Sequence, residues 1–100
     1  MLVYFQGITM VSAVCDNPSH NRFELEVNGE IAVAYYSRSP EIITFTHTEV
    51  PPALSGQGIG SKLARGALEL ARAEGLKVVA KCPFISAFIA KHPEFNNLLL

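Results

Sequence analysis

Only two of the 100 residues are cysteine, Cys15 and Cys82. Two are too few for a disulfide framework, so the fold has to stand on packing, and both thiols are expected free in a reducing compartment, the cytoplasm. Charge of one sign is not concentrated either. Eight Lys and Arg stand against nine Asp and Glu, for a formal net charge of -1, and the basic residues are spread along the chain rather than blocked. Without a basic block there is no electrostatic footprint for nucleic acid. Long apolar runs are missing too: every apolar stretch falls well short of the roughly 18–20 residues that a spanning helix needs, so no membrane partner is expected. No Cys/His cluster has metal-ligand spacing, which leaves no metal site to expect. Internal repeats and low-complexity tracts are likewise missing.

What is present describes one small domain. Apolar residues make up 49% of the chain and charged residues 17%. A chain of this size buries roughly 60–70% of the surface that its unfolded form exposes, enough for a core without staples. Tyr4-Phe5-Gln6-Gly7 resembles the end of a protease-cleavage tag, with Met10 as the natural start. Residues 1–9 are therefore expected to be foreign and residues 10–100 to form the domain, as a monomer or weak homodimer.

From Arg22 to Val27 apolar and polar residues alternate, Asn28-Gly29 follows, and an apolar run resumes. Asn-Gly supplies the two positive φ values of a tight turn, so residues 22–27 and 30–37 should pair as a hairpin. Ser39-Pro40 punctuates the next connection, and residues 41–50 read as a third strand rich in Ile and Thr. Cys15, Asp16 and His20, which precede the hairpin, read as a polar loop. Pro51-Pro52 stops the ladder for want of N–H donors. Beyond it Ile59, Leu63, Ala67 and Leu70 fall on one face of a helix over residues 58–74, with Gly75 as its cap. Residues 76–80 suit a short buried strand, and Cys82-Pro83 opens a second helix that Pro93 ends. The expected class is α+β: an antiparallel meander, then helix, strand and helix, with a parallel crossover joining the two parts into a mixed sheet.

Gly56-Gln57-Gly58-Ile59-Gly60-Ser61 stands between the third strand and the first helix. Glycines let backbone N–H groups approach a ligand closely, and a helix N-terminus carries about half a positive charge, so a pyrophosphate is the expected guest. The dinucleotide fingerprint follows the first strand of a parallel sheet, and the P-loop needs Gly-Lys before Ser or Thr; neither pattern fits here. An ordinary glycine turn before a helix remains the plain alternative.

The run His47-Thr48-Glu49-Val50-Pro51-Pro52, followed by Leu54-Ser55-Gly56-Gln57-Gly58-Ile59-Gly60-Ser61-Lys62-Leu63, resembles the acetyl-CoA signature of the GNAT acetyltransferase superfamily, Arg/Gln-x-x-Gly-x-Gly/Ala. Cys82-Pro83-Phe84 through His92-Pro93-Glu94 is similar to the short GNAT-like subfamily of about a hundred residues that lacks the usual first helices. The resemblance implies a truncated GNAT fold in which the strand before the loop and the strand after the helix splay apart, with coenzyme A between them. It implies cofactor contacts from Thr48, Val50, Ser55, Gly56, Gln57, Gly58, Ile59, Gly60, Ser61, Cys82, Pro83 and Phe84. It further implies acetyl transfer to an amine or protein acceptor, chemistry that asks for a base, an oxyanion donor and an acid. Two positions depart from the pattern. Ser55 replaces the first Arg or Gln, a loss that Gln57 or Lys62 would have to offset, and Ala90-Lys91-His92 stands where many members carry an acidic tyrosine.

Candidate chemistry then falls on three residues. Cys82 caps a helix whose dipole favours a thiolate, beside Lys81, which suits a nucleophile or a proton donor; a small buried residue at a strand end is the alternative. His47 and Glu49 share one face of the third strand, with Thr48 and Val50 on the other, and either is a candidate base. Phe84, Phe88 and Ile89 read as core by spacing. A coenzyme A-binding sensor or interaction module without turnover is the second function to carry forward.

Overall fold

A computed structural model describes residues 13–100. The expected tag, residues 1–9, and Met10 lie outside the described residues. Strand β1 (Cys15–Asn17) leads through a 3-10 turn at Pro18–His20 into β2 (Arg22–Val27), β3 (Glu30–Arg38) and β4 (Ile42–Glu49). Helix α1 (Ile59–Ala73), strand β5 (Lys77–Ala80) and helix α2 (Pro83–Lys91) complete the main elements. The sheet order is β1-β2-β3-β4-β5, antiparallel except for the parallel pair β4–β5. This is the expected α+β architecture of a truncated GNAT fold.

The hairpin forms as its turn chemistry requires: Asn28 and Gly29 have φ of 53° and 81°, both in the left-handed region that this tight turn demands. One expectation fails. Cys15 and Asp16 are not loop but an edge strand, paired Cys15 to Glu24 and Asp16 to Phe23. Three residues are too few to show alternation, and the strand is fixed from a distance, by Tyr36 Oη donating to Asp16 Oδ1 at 2.6 Å. His20 does lie in the turn, as expected.

Register puts Phe23 opposite Ala34, Leu25 opposite Ala32, Tyr36 opposite Phe45 and Ile43 opposite Val78. All are buried in one cluster with Leu63, Leu68, Ile85 and Phe95. Both helices thus cover the same face of the sheet. The other face, bearing Arg22, Glu24, Glu26, Val33 and Tyr35, has no helix on it among the described residues. Removing the large apolar side chains of the cluster from water supplies about 25 cal/mol per Å², and it pins α1 against β2–β5. After α2 a second 3-10 segment, Pro93–Leu98, brings the chain end back to β5, where Leu99 bridges to Val78. Among the described residues, no helix is long and apolar enough to cross a membrane.

Candidate functional site

Strand β4 is where the fold departs from regularity. Phe45 faces Tyr36 while His47 faces Tyr35, so Thr46 is an extra residue without a partner, its Oγ1 donating to Tyr35 O at 3.3 Å. A bulge of this kind re-aims every side chain beyond it. Ile43 and Phe45 point into the helical layer; with strict alternation His47 and Glu49 would follow them. The bulge instead sends Thr48 and Val50 inward and leaves His47 and Glu49 on the helix-free face.

The parallel ladder with β5 ends at the same place. Phe45 O accepts from both Lys81 N and Cys82 N, each at 3.0 Å, and the chain then turns into α2. Among the described residues, 46–49 of β4 thus run on with β3 on one side and no ladder partner on the other, which is the splay that the sequence resemblance implies.

Past the splay, Pro51 and Pro52 lead through a 3-10 turn to the glycine loop. Gly56 and Gly58 have φ of 77° and 72°, values that cost a residue with a Cβ about 1–2 kcal/mol. Gly58 is the N-cap of α1, and no side chain among the described residues caps the helix. The first intrahelical bond in this turn is Lys62 N to Gly58 O at 3.1 Å, so the N–H groups of Ile59, Gly60 and Ser61 have no protein acceptor among the described residues. Uncapped donors at a helix start are a ready anion site. They open into a cavity lined by Val50, residues 54–56 and 58–61, and Phe84. A Cβ at Gly60 would meet the tip of the Phe84 ring at 2.7 Å, so the ring of this exposed side chain lies directly over the glycine. The backbone conformation and the orphan donors fit a pyrophosphate.

Eight expected cofactor contacts therefore line one cavity; Thr48, Gln57, Cys82 and Pro83 do not. Ser55 Oγ donates back to Pro52 O at 2.9 Å and Gln57 Nε2 to Ala53 O at 3.2 Å, so both side chains brace the loop, and Gln57 is not free to offset the missing first-position Arg or Gln. Phe84 is not core: it is 41% exposed, whereas Phe88 and Ile89 are buried. Helical spacing alone placed Phe84 inside because a residue in the first turn can hang over the loop instead.

A second groove shares Ser61 and Phe84 with the cradle and follows α2 over Ala87 and Phe88 to Lys91 and His92. Nothing in the sequence pattern marked it, because it exists only where α1 and α2 meet. The His92 ring stacks on Phe88 at 4.0 Å and its Nδ1 lies 2.8 Å from Phe88 O, which fixes it as the far wall.

The structure separates the three chemical candidates. Cys82 is 2% exposed, and its Sγ lies 3.3 Å from Thr48 Oγ1, so thiol and hydroxyl share a hydrogen bond at the point of the splay. Cys82 is the N-cap of α2, with its carbonyl accepting from Ser86 N at 3.0 Å. His47 and Glu49 lie across the strand, on the opposite face, with Nε2 and Oε2 3.0 Å apart and both side chains well exposed. The Tyr35 ring stacks on His47 at 6.2 Å, and Arg22 lies over Tyr35 at 5.7 Å. Glu24 completes this row. Hydrogen bonds from Asn17 and from Arg22 hold its carboxyl below the ordinary carboxylate range.

An edge of β4 left unpaired among the described residues, a glycine loop and an uncapped helix start thus stand together at one end of the sheet. The chain belongs to the GCN5-related N-acetyltransferase family, whose model matches residues 22–98. Domains of that family typically bind acetyl-CoA. Among curated proteins the chain is similar to Protein NATD1 of Mus musculus and of Homo sapiens, in each case 35% identical over 75 residues, or 72% of this chain and 68% and 66% of theirs. Protein NATD1 of Danio rerio is 29% identical over 84 residues, covering 79% of this chain and 76% of that protein.

Proposed function

We propose that this chain is an acetyl-CoA-dependent N-acetyltransferase, with residues 10–100 acting as one domain. The observation that carries the proposal is the uncapped start of α1, whose free N–H groups open into a cavity beside the unpaired stretch of β4. Bound there, acetyl-CoA supplies an acetyl group activated as a thioester for attack by an amine.

The N–H groups of Ile59, Gly60 and Ser61 hold the pyrophosphate, with Lys62 adding positive charge one residue on. The free edge of β4 from Thr46 to Val50 offers backbone groups to the extended pantetheine arm, and Phe84 closes the cavity's outer wall. The groove along α2 takes the nucleotide end. Lys91 has no ion-pair partner among the described residues, so its ammonium is free to meet a phosphate there.

At the splay, Cys82 Sγ and Thr48 Oγ1 hold a proton in a site sheltered from water. This suits proton donation better than nucleophilic attack, since a thiol 2% exposed is hard to reach. On the other side of the strand, His47 Nε2 lies 3.0 Å from Glu49 Oε2, so the carboxylate orients the imidazole. That pair is the candidate base for an incoming ammonium.

A second reading, a coenzyme A-binding module without turnover, is favoured by Ser55 turning back to Pro52 and by Ala90-Lys91-His92 in the place of the customary tyrosine. Thermal unfolding with acetyl-CoA, followed by thiol release in the presence of a broad amine panel, separates the readings. Transfer expects both a raised melting temperature and amine-dependent thiol release; a raised melting temperature alone supports the binding module. Neither response would remove both. Intact mass after incubation with acetyl-CoA, compared with Cys82→Ala, is expected to show no stable acetyl adduct on either; a cysteine-dependent gain of one acetyl group would assign Cys82 as nucleophile instead.

A further inference from the structure

Two cavities meet where the helices begin. The cradle, about 260 Å³, is bounded by Val50, the glycine loop, the start of α1 and Phe84, and the groove continues along α2 past Ala87, Phe88, Lys91 and His92. Ser61 and Phe84 alone line both, one from the first turn of each helix. Residues common to two neighbouring cavities form the wall between them. A serine side chain is too short to divide the space, so the bulk of that wall is the Phe84 ring.

The ring is placed to move. It lies over Gly60, where a built Cβ would stand 2.7 Å from the ring tip and 3.3 and 3.4 Å from the two carbons beside it. Elsewhere its support is slight: Phe84 is exposed and stands outside the buried cluster, and no aromatic ring or guanidinium among the described residues stacks on it. Exposed side chains change rotamer within picoseconds to nanoseconds. Phe88, one turn further along α2, is its opposite. That ring is buried, stacked on His92 at 4.0 Å and covered by the Arg65 guanidinium at 5.7 Å, so the groove has a fixed floor and a mobile end wall.

We infer that Phe84 is a swinging partition: its ring separates cradle from groove in the free chain and moves out toward solvent to admit a nucleotide that lies across both. The inference rests on the acetyl-CoA reading and adds how that site opens and holds its ligand. Inorganic pyrophosphate is short enough to stay in the cradle and never meets the partition. Coenzyme A, with its pyrophosphate in the cradle and its base in the groove, has to cross it. Only chains whose ring is swung out accept the longer ligand, so the closed ring scales down its association by the open fraction. Once the nucleotide is in place the ring returns against it and slows its departure. A wall that never moved would slow departure without slowing entry.

The test is a titration of the isotopically labelled full chain with coenzyme A and, separately, with inorganic pyrophosphate, the amide line shapes giving association and dissociation rates. Pyrophosphate is expected to move the loop amides and leave Ala87, Phe88, Lys91 and His92 in place, whereas coenzyme A moves both sets in one process. For coenzyme A, Phe84→Ala should associate about threefold faster and dissociate about tenfold faster than the parent chain. Gly60→Ala keeps the ring but props it up, at a helical position without a positive φ, and should also associate faster. Folding of both variants is checked by circular dichroism. In the free parent chain the Phe84 ring protons should show cross-peaks to the Gly60 Hα that disappear at saturation with coenzyme A. Association unchanged in either variant, cross-peaks that persist at saturation, or pyrophosphate that moves both sets of amides would overturn the inference. Coenzyme A that leaves the loop amides unmoved removes the cofactor reading, and the partition with it. Coenzyme A that moves them with unaltered association in Phe84→Ala removes the partition alone.

Discussion

Val14 packs on the helix at Gly66, and a Cβ at Gly66 would run into its side chain. Helix propensity alone favours alanine over glycine by about 1 kcal/mol, yet Gly66→Ala is expected to lower the melting temperature. Trimming the neighbour as well, in Val14→Ala with Gly66→Ala, should recover most of the loss. A stabilised single variant would show that Val14 yields freely. Tyr36 is a second residue with an outsized role, because its hydroxyl secures the edge strand. Burial first, and then the bond to Asp16, push its pKa up from 10.0 to about 12. A raised phenol pKa means that the folded state holds its proton longer than the unfolded one. The resulting stability is complete below pH 10.0 and is lost as pH rises toward about 12. Tyr36→Phe should cost about 1 kcal/mol at neutral pH and flatten that alkaline decline, measured by urea unfolding across the range.

Among the elements, β4 and α2 decide what the site can do. Deleting Thr46 would remove the unpaired residue and leave His47 directly after Phe45, so regular alternation keeps Thr48 inward and His47 and Glu49 outward; this variant is expected to fold, as read by circular dichroism, and an unfolded deletion would mean that the bulge itself holds β4. Along α2, Lys91→Ala should weaken coenzyme A about fivefold and leave 3′-dephospho-coenzyme A unchanged, as read by calorimetry. Equal losses for both ligands would place the nucleotide elsewhere. Elements were legible in the sequence wherever a local signal set them. Asn28-Gly29 fixed the hairpin, Pro51-Pro52 ended the ladder, the 3.6-residue period gave α1, and Pro83 and Pro93 bracketed α2. Strand β1 was not legible because its cause, the Tyr36 hydroxyl, is twenty residues away. The bulge at Thr46 was hidden for a similar reason: it is a relation between β3 and β4 and leaves no mark in the alternation of either. Within the candidate site, the glycine loop could be read from composition and position, but the inward turn of Gln57 to Ala53 could not. Nor could the exposure of Phe84.

At the scale of the whole molecule, one sheet separates two chemistries. Its helical face carries the glycine loop, the thiol and most of the positive charge. The opposite face carries the carboxylates, the imidazole and an aromatic row. Strand β4 belongs to both, and the bulge allows it to present Thr48 and Val50 to one side and His47 and Glu49 to the other. The most direct measurement is a titration of the labelled chain with acetyl-CoA alone, followed through the amide signals. Binding to the uncapped helix start should move Gly56, Gly58, Ile59, Gly60 and Ser61 most, then the amides from Thr46 to Val50, with saturation at 100 times the dissociation constant adding about 2.7 kcal/mol of stability. Unchanged signals in the loop, or shifts that spare both the loop and the free edge of β4, would contradict it.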